Sequence, residues 1–160
     1  MKRYGTLALL ALVGITLDTT LFAALPIAPR LLLAAALAAC AALDVQSAIL
    51  TAFLGGLTVD ALANSYLGLC AACGLLSVSA LWLLIRKNHP KKFVLFLYAG
   101  FAAAIALPAE WLYAYLAGAH YNGLSVLLTR ALPSAVLTGA ATVAFVWLLG
   151  VVLKGRRDRI

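Results

Sequence analysis

Charge is scarce in this chain, and acidic charge is scarcest. Of 160 residues, 11% are Asp, Glu, Lys or Arg, and five are acidic. A soluble domain carries about a quarter of its residues as charges. With 66% of the chain hydrophobic, an ordinary soluble fold is excluded. Polar stretches long enough to fold alone are also missing, so no soluble catalytic domain is accommodated. Histidine is limited to His89 and His120, and cysteine to Cys40, Cys70 and Cys73. Cys70 and Cys73 spell C-x-x-C, but no second pair or nearby His completes a zinc site. On a helix they share one face and read as small packing residues. No nucleophile, base and orienting acid can be assembled, and no glycine-rich phosphate loop follows a strand. The expectation is a protein that is not an enzyme and uses no cofactor or metal.

What is present is apolar length punctuated by positive charge. Ten of the twelve Lys and Arg residues fall into three clusters: Lys2-Arg3, then Arg86-Lys87 with Lys91-Lys92, then Lys154, Arg156, Arg157 and Arg159. Cytoplasmic loops of membrane proteins concentrate Lys and Arg, so all three clusters are expected inside. In a soluble protein the net charge of +7 would suggest nucleic acid. Here it sits at membrane edges, where it sets topology and meets lipid headgroups; no nucleic-acid partner is expected. Lys2-Arg3 and the apolar run after it imitate a signal peptide. Asp18 inside the run, and no small-x-small site before Pro26, favour an uncleaved first helix.

A bilayer core of about 30 Å needs about 20 helical residues. The predicted spans are 4–25, 31–43, 47–62, 67–85, 93–117 and 125–153. The segment from Leu31 to Leu62 is too long for one span and is broken by Asp44-Val-Gln-Ser47. Splitting it keeps every basic cluster inside. The two short helices then cross a thinned bilayer or form a re-entrant hairpin. The expected fold is all-α, one six-helix bundle with both termini cytoplasmic.

Asp18, Asp60, Glu110 and Arg130 each fall in the outer half of a predicted helix, and Arg30 begins the second. A charge at mid-membrane costs at least about 2.5–3.5 kcal/mol, so such groups face the bundle interior and pair. These five are the candidate network joining the helices, with His120 in the adjacent outer loop. Simpler readings are that Arg130 snorkels outward and that Asp60 ends its helix. Small residues at helix-packing spacing include Gly68 with Ala72, Gly74 with Val78 and Ser134 with Thr138.

The order of features resembles the rod shape-determining protein MreD family. The strongest local likeness is Gly55-Gly56-Leu-Thr-Val-Asp60 followed by Gly68-Leu69. Leu127-Leu-Thr-Arg130-Ala-Leu-Pro133-Ser134 resembles the start of that family's last helix. The Pro26-x-x-Pro29 turn and Glu110 near a tyrosine-rich helix end also fit. Two positions depart: Arg30 stands where the family often has an acid, and Asp18 where it often has glutamine, which suggests an Asp18–Arg30 contact. The resemblance implies a scaffold of the cell-elongation machinery in the bacterial inner membrane. Its partners would be an MreC-like protein, an MreB-like filament and the peptidoglycan polymerase and transpeptidase of lateral wall growth. The alternative is the substrate-binding subunit of an energy-coupling-factor-type vitamin transporter. In that reading Trp111, Tyr113, Tyr115 and Tyr121 line an outer pocket, and Ala34 and Ala38 dock a coupling subunit.

Overall fold

The computed structural model of the chain describes residues 2–20, 27, 29–62, 68–86, 92–105, 129 and 132–154. Among them are six α-helices and no strand: α1 Lys2–Thr19, α2 Leu31–Ala42, α3 Val45–Leu62, α4 Leu69–Ile85, α5 Lys92–Ala104 and α6 Leu132–Lys154. Two of these, Val45–Leu62 and Leu132–Val151 within α6, are long and apolar enough to cross a membrane.

The bundle is built around α2. This helix, LLLAAALAACAA, is apolar on every side, and a helix apolar all round belongs in an interior. Leu32 to Cys40 are all buried, and the run from Ala34 to Ala39 has no exposed surface. α1, α3, α4 and α6 pack around it, with α5 touching one side. Alanine at these positions lets neighbouring backbones approach closely. The central cluster joins Leu7, Leu37, Ala52, Val78, Leu81 and Ala99 from five helices. The surrounding helices turn large apolar side chains outward. Examples are Leu9 and Leu12 on α1, Leu50 and Leu54 on α3, Leu76 and Leu83 on α4, Phe93 and Phe101 on α5, and Trp147 on α6.

Several helix ends differ from expectation by one or two residues, and α6 starts at Leu132 where 125 is expected; three differences have a local reason. α1 ends at Thr19, with Thr20 in a turn, rather than continuing to 25. The Thr19 and Thr20 hydroxyls donate back to the carbonyls of Ile15 and Thr16, a local alternative to continued helix. α5 ends at Ala104 with Ile105 in a turn; the rest of the predicted span, 106–117, lies outside the described residues. Pro108 accounts for this, because its ring would collide with the carbonyl four residues back, that of Ala104. α3 starts two residues earlier than predicted. Asp44 is its cap, accepting the Ser47 N–H at 3.0 Å and the Ser47 hydroxyl at 2.7 Å, so Val45 and Gln46 lie in the first turn rather than in a break.

Candidate functional site

The polar groups at the ends of α1 and α3 define the candidate site. A helix leaves its first N–H groups without partners in its own ladder, and where that end is enclosed by protein, protein must supply the acceptors. α2 has twelve residues, about 18 Å at 1.5 Å per residue, and its first turn lies inside the bundle.

Asp18 supplies most of what that turn needs. Its Oδ1 accepts the Leu31 N–H and its Oδ2 the Leu32 N–H, both at 3.0 Å. The Arg30 N–H donates to Thr138 Oγ1 of α6 at 3.0 Å. The Thr138 hydroxyl donates in turn to the Ser134 carbonyl at 2.7 Å. One turn before Asp18 stands Gly14. A Cβ there would lie 2.9 Å from the Leu32 nitrogen and 3.1 Å from the Leu31 carbonyl carbon. Glycine therefore lets α1 lie backbone to backbone on the start of α2, which brings the carboxylate within reach.

The α3–α4 junction repeats the arrangement. Asp60 is 1% exposed. Its carboxylate accepts the Gly68 N–H at 2.8 Å and the Cys70 N–H at 3.1 and 3.2 Å to the two oxygens. Gly68 caps α4 at φ 97°, a left-handed conformation that favours glycine. One turn before Asp60 stands Gly56, where a Cβ would lie 2.5 Å from both the N and Cα of Ala71. The two segments are Gly14-Ile-Thr-Leu-Asp18 and Gly56-Leu-Thr-Val-Asp60. In both, the threonine hydroxyl donates to the carbonyl three residues back, Thr16 to Val13 and Thr58 to Gly55. The repeated unit is a helix-start clamp: glycine permits contact, and the acid one turn on ties down the next helix. A carboxylate suits both places because it complements the positive end of the helix it caps.

Arg30 sits between the two clamps, within electrostatic reach of Asp18 and of Cys70 and Cys73. Cys40 and Cys73 are buried and Cys70 half-buried, all three as free thiols. Among the described residues, no three His, Cys, Asp or Glu side chains converge as a metal site would require.

Of the predicted network, the structure thus brings Asp18, Arg30 and Asp60 to neighbouring helix starts. Asp18 spends both oxygens on backbone N–H groups, a role the expected side-chain pairing with Arg30 does not include. Glu110, Arg130 and His120 lie outside the described residues, as do Trp111, Tyr113, Tyr115 and Tyr121. Of the other predicted residues, Gly56, Asp60 and Gly68 make up the second clamp. Pro133 lies in the first turn of α6, where a missing N–H costs nothing. Lys87, Lys91, Arg156, Arg157 and Arg159 are outside the described residues. Lys2, Arg3, Lys92 and Lys154 belong to helices whose side chains there are not described. Ala34 and Ala38 have no exposed surface, so they present nothing to a docking subunit. Sequence reasoning passed over Gly14 and took Thr138 only as a small residue at packing spacing. Comparing the chain with itself exposes Gly14 through the repeated pentapeptide, whereas nothing local marks Thr138. No family model matches this chain, and no curated protein or solved structure matches it.

Proposed function

We propose that the chain is a polytopic protein of the bacterial inner membrane and a non-enzymatic scaffold of the cell-elongation machinery. The observation that carries this reading is the shell of outward apolar side chains on α1, α3, α4, α5 and α6 around a sealed α2. Such surface serves contact with lipid and with partner helices. The described aspartates, Asp18, Asp44 and Asp60, all accept hydrogen bonds at helix starts. Their place is architectural, in keeping with a scaffold.

In this reading the three basic clusters lie in the cytoplasm with both termini, and the two clamps lie toward the outer face. α2 is too short to cross a full bilayer core, so it either crosses a thinned region or forms a re-entrant hairpin with α3; both keep the parity. Partners, by the MreD resemblance, are an MreC-like protein, the lateral-wall polymerase and transpeptidase, and an MreB-like filament. Deletion of the gene in a rod-shaped host tests the role. The expected result is rounding, reversed by the wild-type copy; unaltered rods would overturn it. Thiol labelling of single cysteines placed at 86–92 tests the sidedness separately, with accessibility from the cytoplasm expected.

A further inference from the structure

The described arginines occupy different situations. Arg30 is held among the clamps, whereas Arg86, at the end of α4, is exposed and stacks on Trp82 one turn earlier, its guanidinium carbon 5.1 Å from the ring centroid. Among the described residues this is the contact its guanidinium makes, and no carboxylate meets it. Trp82 packs in part against the central cluster, so the ring is a fixed platform. Stacking leaves the N–H edges of the guanidinium open, and that planar fork matches a phosphate with two parallel hydrogen bonds.

Arg86 also ends a stripe. Ala72, Leu76, Ser79, Leu83 and Arg86 recur at helical spacing along the exposed face of α4. Leu76 is 58% and Leu83 63% exposed. The face is therefore an apolar track with a cation at one end. Lys87, Lys91 and Lys92 follow closely, and the chain carries no acid between Asp60 and Glu110. A free anion would use the cation and ignore the track, and an acidic peptide would do the same. A phospholipid uses both.

The geometry points to a binding site for an anionic phospholipid on the outer face of α4, its phosphate on Arg86 over Trp82 and an acyl chain along Leu83 and Leu76. This rests on the membrane placement proposed above, with residues 86–92 at the cytoplasmic edge, but not on the scaffold role. The test is native mass spectrometry of the full-length protein, released from micelles holding equal phosphatidylglycerol and phosphatidylcholine. Wild type is expected to retain phosphatidylglycerol preferentially. Arg86→Gln should lower that retention about fivefold, one basic residue's share of the attraction to anionic lipid. Arg86→Lys should restore part of it, and Ser79→Ala should change nothing. Trp82→Leu keeps every charge and should lower retention by loosening the guanidinium, which carries the test if Arg86→Gln does not fold. Undiminished retention in both Arg86→Gln and Trp82→Leu would overturn the proposal. So would displacement of the lipid by inorganic phosphate alone, which would make this an ion site. Rods that stay rods after gene deletion would leave this result standing.

Discussion

Asp18 and Asp60 do the same work at two helix starts, yet their settings differ. Asp60 is sealed in, and its clamp is closed within α3 and α4 by the left-handed Gly68. Asp18 is only partly buried, and its clamp is completed from a distance by Thr138 of α6. The first junction therefore ties three helices together, whereas the described hydrogen bonds of the second join the end of α3 to the start of α4. The difference follows from position. α2 runs through the centre of the bundle, so its first turn is within reach of α6, whereas the start of α4 takes its described acceptor from Asp60 of the helix before it.

The sharpest way to break the comparison is to fill the glycine contacts. A methyl at Gly56 meets the Ala71 backbone at 2.5 Å, and one at Gly14 meets the Leu32 nitrogen at 2.9 Å. Backbone on both sides cannot yield as a side chain would. Gly56→Ala should cost about 3 kcal/mol or more, the upper end of overpacking, and Gly14→Ala about 1–2 kcal/mol. Unfolding free energies in mixed micelles report both; a reversed order would mean the α3–α4 contact is the looser one.

The carboxylates come next. Asp60→Ala leaves two enclosed N–H groups unpaired and should cost about 2–3 kcal/mol, since hydrogen bonds to charged groups contribute about 1.5–3 kcal/mol. Asp18→Ala should cost less, about 1–2 kcal/mol, in the usual range for a lost cap, because its site is partly open and Arg30 N–H keeps its partner in Thr138. Asparagine at either position should recover part of the loss. Equal costs at the two sites would remove burial as the reason they differ.

These residues also show how far the sequence could be read. Gly56, Asp60 and Gly68 stand close together and form a recognisable string, and the structure gives each a physical task in one clamp. Asp18 was visible as a buried acid, but its destination was not, because capping a helix thirteen residues on depends on how two helices pack. α2 could be read as interior from its unbroken apolar composition; which helices enclose it could not, since alanine specifies closeness rather than a partner. The end of α5 was legible in principle from Pro108, whose effect falls four residues upstream. Thr138 was seen only as a small residue at packing spacing, since an acceptor aimed at another helix's N–H leaves no local trace.

Thr138→Val separates the two junctions further. It removes the acceptor of the Arg30 N–H with little change in volume and should cost about 1 kcal/mol. Amide exchange should quicken at 30–32 and stay unchanged at Gly68 and Cys70. Combined with Asp18→Ala, the losses should not add, because both residues cap the same helix turn. Additive losses would mean that Thr138 acts on α6 alone.

The smallest effect should come from treating the two pentapeptides as interchangeable. Ile15→Leu with Leu17→Val turns Gly14-Ile-Thr-Leu-Asp18 into the sequence at Gly56 to Asp60. Glycine, threonine and aspartate stay in place, and the exchanged side chains are of similar size and partly exposed. The swap should cost less than about 1 kcal/mol, within the range of near-volume-conserving apolar changes. Amide exchange at Leu31 and Leu32 should not move. If it quickens while Gly14 and Asp18 remain, the residues between them fix the approach of α1 to α2, and the clamp is a product of each helix's own packing rather than a transferable unit.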